Sequence, residues 1–78
     1  MSITFDINAV DSFIVVLNAL IGWRIEGDWT NNGFPADCFI IRADDNGLTV
    51  CDVDGEGNPQ YNSTWLIGYD EINNITVL

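Results

Sequence analysis

The apolar positions change period several times along this chain, and each change marks an element. Ile3, Phe5 and Ile7 alternate with Thr4 and Asp6, the period of a half-buried strand. From Asn8 the spacing becomes helical, with Val10, Phe13, Ile14, Leu17, Leu20 and Ile21 recurring at three- and four-residue steps. This predicts a helix from about residue 9 to 21, capped by Asn8 with Asp11 as its box partner and closed by Gly22. Val15, Val16 and Ala19 leave its outer side apolar, so the helix is expected either to pack on two sides or to offer a contact to another subunit.

Period two returns at Trp23, Ile25 and Gly27, set against Arg24, Glu26 and Asp28, which predicts a strand with one wet face and a core position for Trp23. Trp65 reads as core in the same way. Thr30 to Asp37, with Asn31, Asn32, Gly33 and Pro35, reads as a loop. Cys38–Ala43 and Leu48–Val53 flank Asp44-Asp45-Asn46-Gly47, a hairpin turn sequence. The expected register pairs Phe39 with Val53, Ile41 with Cys51 and Ala43 with Thr49, those six side chains facing inward and Asp52 and Asp54 facing water. Gly55 to Ser63 reads as a second polar loop, and Thr64–Tyr69 and Ile75–Leu78 as closing strands around a turn at Asp70–Asn73. The expectation is a single domain over residues 1–78 of α+β class: one N-terminal helix packed on a small, strongly curved antiparallel sheet of four or five strands.

The order helix, four strands, turn, strand, together with the closing segment Leu66-Ile67-Gly68-Tyr69-Asp70-Glu71-Ile72-Asn73-Asn74-Ile75, resembles the Sm-type or SH3-like small barrels, whose last two strands meet at a tight turn after an Ile-Arg-Gly-like motif. The likeness covers the C-terminal half and implies barrel architecture only. Ile67 stands where that family places an arginine that helps hold RNA, and one extra residue precedes Ile72, so RNA binding is not implied.

Charge changes the picture more than any motif. Twelve carboxylates face two cations, Arg24 and Arg42, with no lysine or histidine, for a net charge of −10. That exceeds what solubility asks of a small domain and repels itself across a folded chain, which points to a basic partner. An apolar fraction of 47% excludes a disordered acidic tail. The same field disfavours direct contact with nucleic acid or an anionic membrane. The start lacks a basic leader pattern and the longest apolar run, Phe13–Leu17, is far too short to cross a bilayer, so cytoplasmic residence is expected. Cys38 and Cys51 fall out of register in the expected hairpin and read as reduced core thiols.

Candidate contact residues follow from this excess. Asp52, Asp54 and Glu56 occupy alternate positions, a row with ~6.6 Å between side chains on one strand face. One row is too sparse to imitate a duplex, and Asp44 with Asp45, Asp28, and Asp70 with Glu71 are the acids that would extend it. Trp29, Phe34 and Tyr61 lie in or beside polar loops, where an aromatic serves either as an interface anchor or as a cap folded back on the core. Asp52-Val53-Asp54-Gly55-Glu56-Gly57-Asn58 matches the first half of a calcium loop, but Pro59 and Ser63 break the second half, so neither metal nor cofactor is expected. Without histidine, lysine or a nucleophile beside a base, no catalytic residue is expected either.

The function these features lead us to expect is an acidic inhibitor that occupies a basic, nucleic-acid-binding surface of a larger protein. In size and acidity the chain is similar to the phage-encoded anti-CRISPR and anti-restriction proteins that mimic DNA. That likeness of class implies action in the host-cell cytoplasm, with a CRISPR effector and its long cationic channels as the first target. Two alternatives are an immunity protein that neutralises a basic nuclease and a structural subunit that forms a homo-oligomer through its apolar helix.

Overall fold

The computed structural model describes residues 2–78, and all of their side chains except that of Ile7. The elements run β1 (Ser2–Thr4), a 3-10 turn (Ile7–Ala9), α1 (Val10–Ala19), β2 (Arg24–Trp29), β3 (Asp37–Asp44), β4 (Gly47–Val53), β5 (Pro59–Ile67), a second 3-10 turn (Tyr69–Glu71) and β6 (Ile72–Val77). The class is α+β: one helix and one antiparallel sheet in the order β1-β6-β2-β3-β4-β5. The sheet has six strands rather than four or five, and it is open, with β1 and β5 as its edges. The strand beyond that count is β1, the one expected ahead of the helix from the alternation at Ile3 and Phe5, and it joins the sheet by pairing with β6 through Ile3 and Ile75.

The N-terminal alternation ends sooner than its pattern suggests. Asp6 accepts a hydrogen bond from the Asn8 amide at 2.9 Å through Oδ1, so Asp6, not Asn8, caps the first turn and the chain leaves the strand direction there. The expected inward placement of the Ile7 side chain lies outside the described residues. Phe13, Leu17 and Leu20 bury one side of the helix against the sheet, while Val15 and Val16 stay exposed, the apolar outer side expected from their spacing.

The β3–β4 register differs from the expected one. Asp44 pairs with Gly47, Ala43 with Leu48 and Arg42 with Thr49. A bulge at Ile41 then shifts the ladder, so that Ile40 pairs with Val50, Phe39 with Cys51 and Cys38 with Asp52. The turn is tighter than assumed, and a single-residue slip exchanges the two faces of a strand. Cys38, Ile40, Ala43, Leu48 and Val50 therefore line the main core, with Phe39 and Cys51 buried outside it.

The tryptophans also exchange roles. Trp23 precedes β2, its amide bonded to Leu20 O at 2.9 Å in the turn after the helix, and it is 53% exposed; Trp65, expected in the core, is partly exposed as well. Trp29, at the end of β2, is 8% exposed. Its indole lies over Gly27, where an added Cβ would come within 1.8 Å of the ring, and its Nε1 donates to Pro35 O at 2.8 Å. Glycine at 27 is thus the vacancy into which the largest core side chain folds.

Candidate functional site

Apart from Asp28, the acids singled out by sequence divide between the two ends of β4. At the first end the β3–β4 turn carries Asp44 and Asp45. Asp44 Oδ1 accepts the Asn46 amide at 2.9 Å, which stabilises the tight turn. Its backbone oxygen accepts a hydrogen bond from Tyr69 Oη at 2.5 Å, tying the hairpin tip to the 3-10 turn that holds Asp70 and Glu71. Burial, followed by the nearby charges of Asp44 and Asp45, pushes the Tyr69 phenol above its ordinary range. Glu71 Oε2 accepts the Gly68 amide at 3.3 Å, and Glu71 O accepts the Thr30 amide at 2.9 Å. Trp29 pairs with Ile72 and the Thr30 amide donates to Glu71 O, so Asp28 lies beside the 3-10 turn, while along the sheet its end of β2 runs past Asp37, the end of β3 remote from Asp44.

At the second end, Asp52, Asp54 and Glu56 do not form the outward row expected of them. The shifted register sets Asp52 opposite Cys38, on the core-side face that Val50 also occupies, where it is half-buried and accepts a hydrogen bond from Ser63 Oγ. Asp54 has left the strand; its Oδ1 accepts the amides of Glu56 and Asn58, each at 2.9 Å, and organises the β4–β5 turn. Glu56 alone of the three is exposed with no such duty. Between the two ends runs β4, seven residues long and so about 20 Å from tip to tip.

Both cations of the chain are drawn to carboxylates. Arg24 grips Asp37 with Nε on Oδ1 at 2.8 Å and Nη2 on Oδ2 at 2.6 Å, a forked pair on the solvent side of β2 and β3. Those hydrogen bonds hold the Asp37 carboxyl below its usual range and raise the Arg24 guanidinium above its own. Arg42 Nε lies 3.4 Å from Asp44 Oδ2 in an exposed, looser pair.

Of the three aromatic candidates, Trp29 is core, and Phe34 is half-buried against the core with its ring edge-on to Trp65 at 6.4 Å. Only Tyr61 stands out in solvent, 68% exposed. Loop position did not separate these cases because a loop residue beside a strand end can reach either way.

Cys38 and Cys51 are buried and unpaired, and burial, helped by Asp37, pushes the Cys38 thiol up to about 12. Among the described residues, no three Asp, Glu or Cys side chains converge on a metal-sized point. A groove of about 170 Å³ between β1 and α1, lined by Thr4, Asp6, Ser12, Phe13 and Val16, is smaller than the ~300 Å³ at which small-molecule pockets begin. Among the described residues, no helix is long and apolar enough to cross a membrane.

Asn18 carries a role that went unread. Its Nδ2 donates to Ala43 O at 3.0 Å and its Oδ1 accepts the Ala43 amide at 3.2 Å, completing the ladder of β3 beyond the start of β2. An isolated amide side chain in an otherwise apolar stretch of helix was the available signal.

No protein-family model, curated protein or solved structure matches this chain.

Proposed function

We propose that the chain is an acidic binding protein that inhibits a larger, basic, nucleic-acid-binding protein by covering its cationic surface, in the manner of the phage anti-CRISPR class that mimics nucleic acid. The observation that carries this reading is the pairing of both arginines with carboxylates of the same chain, which leaves a molecule of net charge −10 without a lysine or histidine to offset its remaining acids. The hairpin acids among the candidates sit at the two ends of β4, about 20 Å apart, a spacing suited to an extended cationic channel rather than to a point ligand. A CRISPR effector is the first target, because its channels are long and positive; a basic nuclease, as for an immunity protein, offers the same chemistry.

A strongly coiled open sheet supports this reading by supplying a rigid frame. β5 and β6 lie four strand positions apart, ~19 Å in a flat sheet, yet Gly68 and one 3-10 turn join them, so the sheet must coil strongly.

The test is displacement of target DNA from a purified guide-loaded CRISPR effector and, in parallel, from a purified basic nuclease. Neutralising one end (Asp44→Asn, Asp45→Asn, Asp70→Asn, Glu71→Gln) or the other (Asp52→Asn, Asp54→Asn, Glu56→Gln) is expected to preserve the fold, because the amide oxygens still accept the turn hydrogen bonds, and to weaken inhibition at least tenfold. Rising salt should weaken it too. Inhibition that ignores both charge and salt would remove this reading. The exposed Val15 and Val16 favour the second reading, a homo-oligomeric subunit assembled through α1, which sedimentation of the free protein would reveal.

A further inference from the structure

We propose that the outer edge of β5, over Thr64–Ile67, is where an extended basic segment of the partner adds as a further strand; this rests on the function proposed above, whose partner is a basic protein. β5 is the last strand of the sheet, so one side of its backbone has no ladder neighbour, and at nine residues it is three times the length of β1, the other edge. Long open edges are ordinarily blunted by charged side chains, proline or bulges. In this highly charged chain, Gly57 to Tyr69 holds no charged residue at all. The first half of β5 is blunted by Pro59 and by the irregular pairing that leaves Tyr61–Ser63 outside the ladder. The second half is not: Thr64–Ile67 pairs in regular register with Cys51–Leu48, and Thr64, Trp65 and Leu66 are exposed.

Charge selects the occupant. The neutral stretch is bracketed by Asp54 and Glu56 before it and by Asp70, Glu71 and the tethered Asp44–Asp45 tip after it. A second copy, added in either direction, would set acids against acids at both ends. A strand with an uncharged middle and lysines or arginines flanking it meets opposite charge at both ends, while its backbone completes the ladder.

The probe is a synthetic peptide of alternating Thr and Val with two lysines at each end, titrated into the isotopically labelled full chain. Expected is slowing of amide exchange by at least tenfold at alternate residues within Thr64–Ile67. The effect should be absent with the same peptide N-methylated along one edge and with its glutamate-ended counterpart. Leu66→Lys, which puts a repelling charge on the edge, should weaken peptide binding at least fivefold. If the lysine-ended and N-methylated peptides bind alike without protecting β5, the acids dock alone: the proposed function stands and this inference falls. Failure of every peptide to bind overturns it. Concentration-dependent protection of β5 without peptide also overturns it, in favour of a second copy as occupant.

Discussion

The β3–β4 and β4–β5 hairpins both place an aspartate where its Oδ1 accepts backbone amides of the turn, but they are built to different tolerances. At the first, Asp44 and Gly47 close a tight turn, and the tip is held from outside by Tyr69 Oη. At the second, Asp54 gathers the amides of Glu56 and Asn58 in a longer loop, with open space around Gly55. The aspartate is one device among several in the first turn and the organiser of the second. Of the acids in these two hairpins, those freest to meet a partner are therefore Asp45 and Glu56, whose side chains carry none of these bonds.

Glycine replacements should separate the two hairpins most clearly. Gly47 has φ 143°, and a Cβ there would lie 2.5 Å from Ile67 O on the neighbouring strand, so Gly47→Ala is expected to cost about 2–4 kcal/mol in chemical denaturation. Gly57→Ala has φ 85° but meets nothing closer than Arg24 Nη1 at 3.6 Å, and should cost about 1 kcal/mol. Equal losses would mean the two turns are equally constrained. Next in size, Asp54→Ala removes an acceptor of two amides and should cost about 1–2 kcal/mol, whereas Asp54→Asn, which keeps the oxygen, should lose much less. Tyr69→Phe removes the bond to Asp44 O and is expected to cost about 1 kcal/mol, with faster amide exchange confined to the β3–β4 tip.

The smallest effect concerns pH. Asp37 titrates below its ordinary range because Arg24 donates two hydrogen bonds to it. Its contribution is present above the unfolded carboxyl pKa and is lost as pH falls through the lower folded value. The pair is half-exposed, so the step is shallow, and Asp37→Asn should flatten the stability profile below about pH 4 and lower stability slightly at neutral pH, where the ion pair contributes.

Much of the fold was legible because its elements obey simple periods: the helix around Phe13, Leu17 and Leu20, the strand holding Ile25, and the hairpin centred on Asp45-Asn46. The register misreadings come from strand parity. Strand parity propagates: the tight Asp44–Gly47 turn put Leu48, Val50 and Asp52 of β4 on the core side, and a bulge at Ile41, invisible in a run of consecutive apolar residues, put Cys38 and Ile40 inward in place of Phe39 and Ile41 while Ala43 kept its expected face. Trp23 looked inward by alternation with Ile25, but β2 begins one residue later. Pro59–Ser63 read as loop from its polar composition, although an edge strand tolerates that composition. The site was legible as a set of acids, not as two ends, because only the fold brings Tyr69 to Asp44.

The amide of Asn18 makes the helix part of the sheet's own hydrogen-bonded fabric. Peeling α1 away would orphan the Ala43 backbone groups as well as uncover the core, so helix and sheet should exchange their amide protons as one cooperative block. Val15 and Val16 then ride on a platform whose orientation cannot drift independently of the strands beneath it.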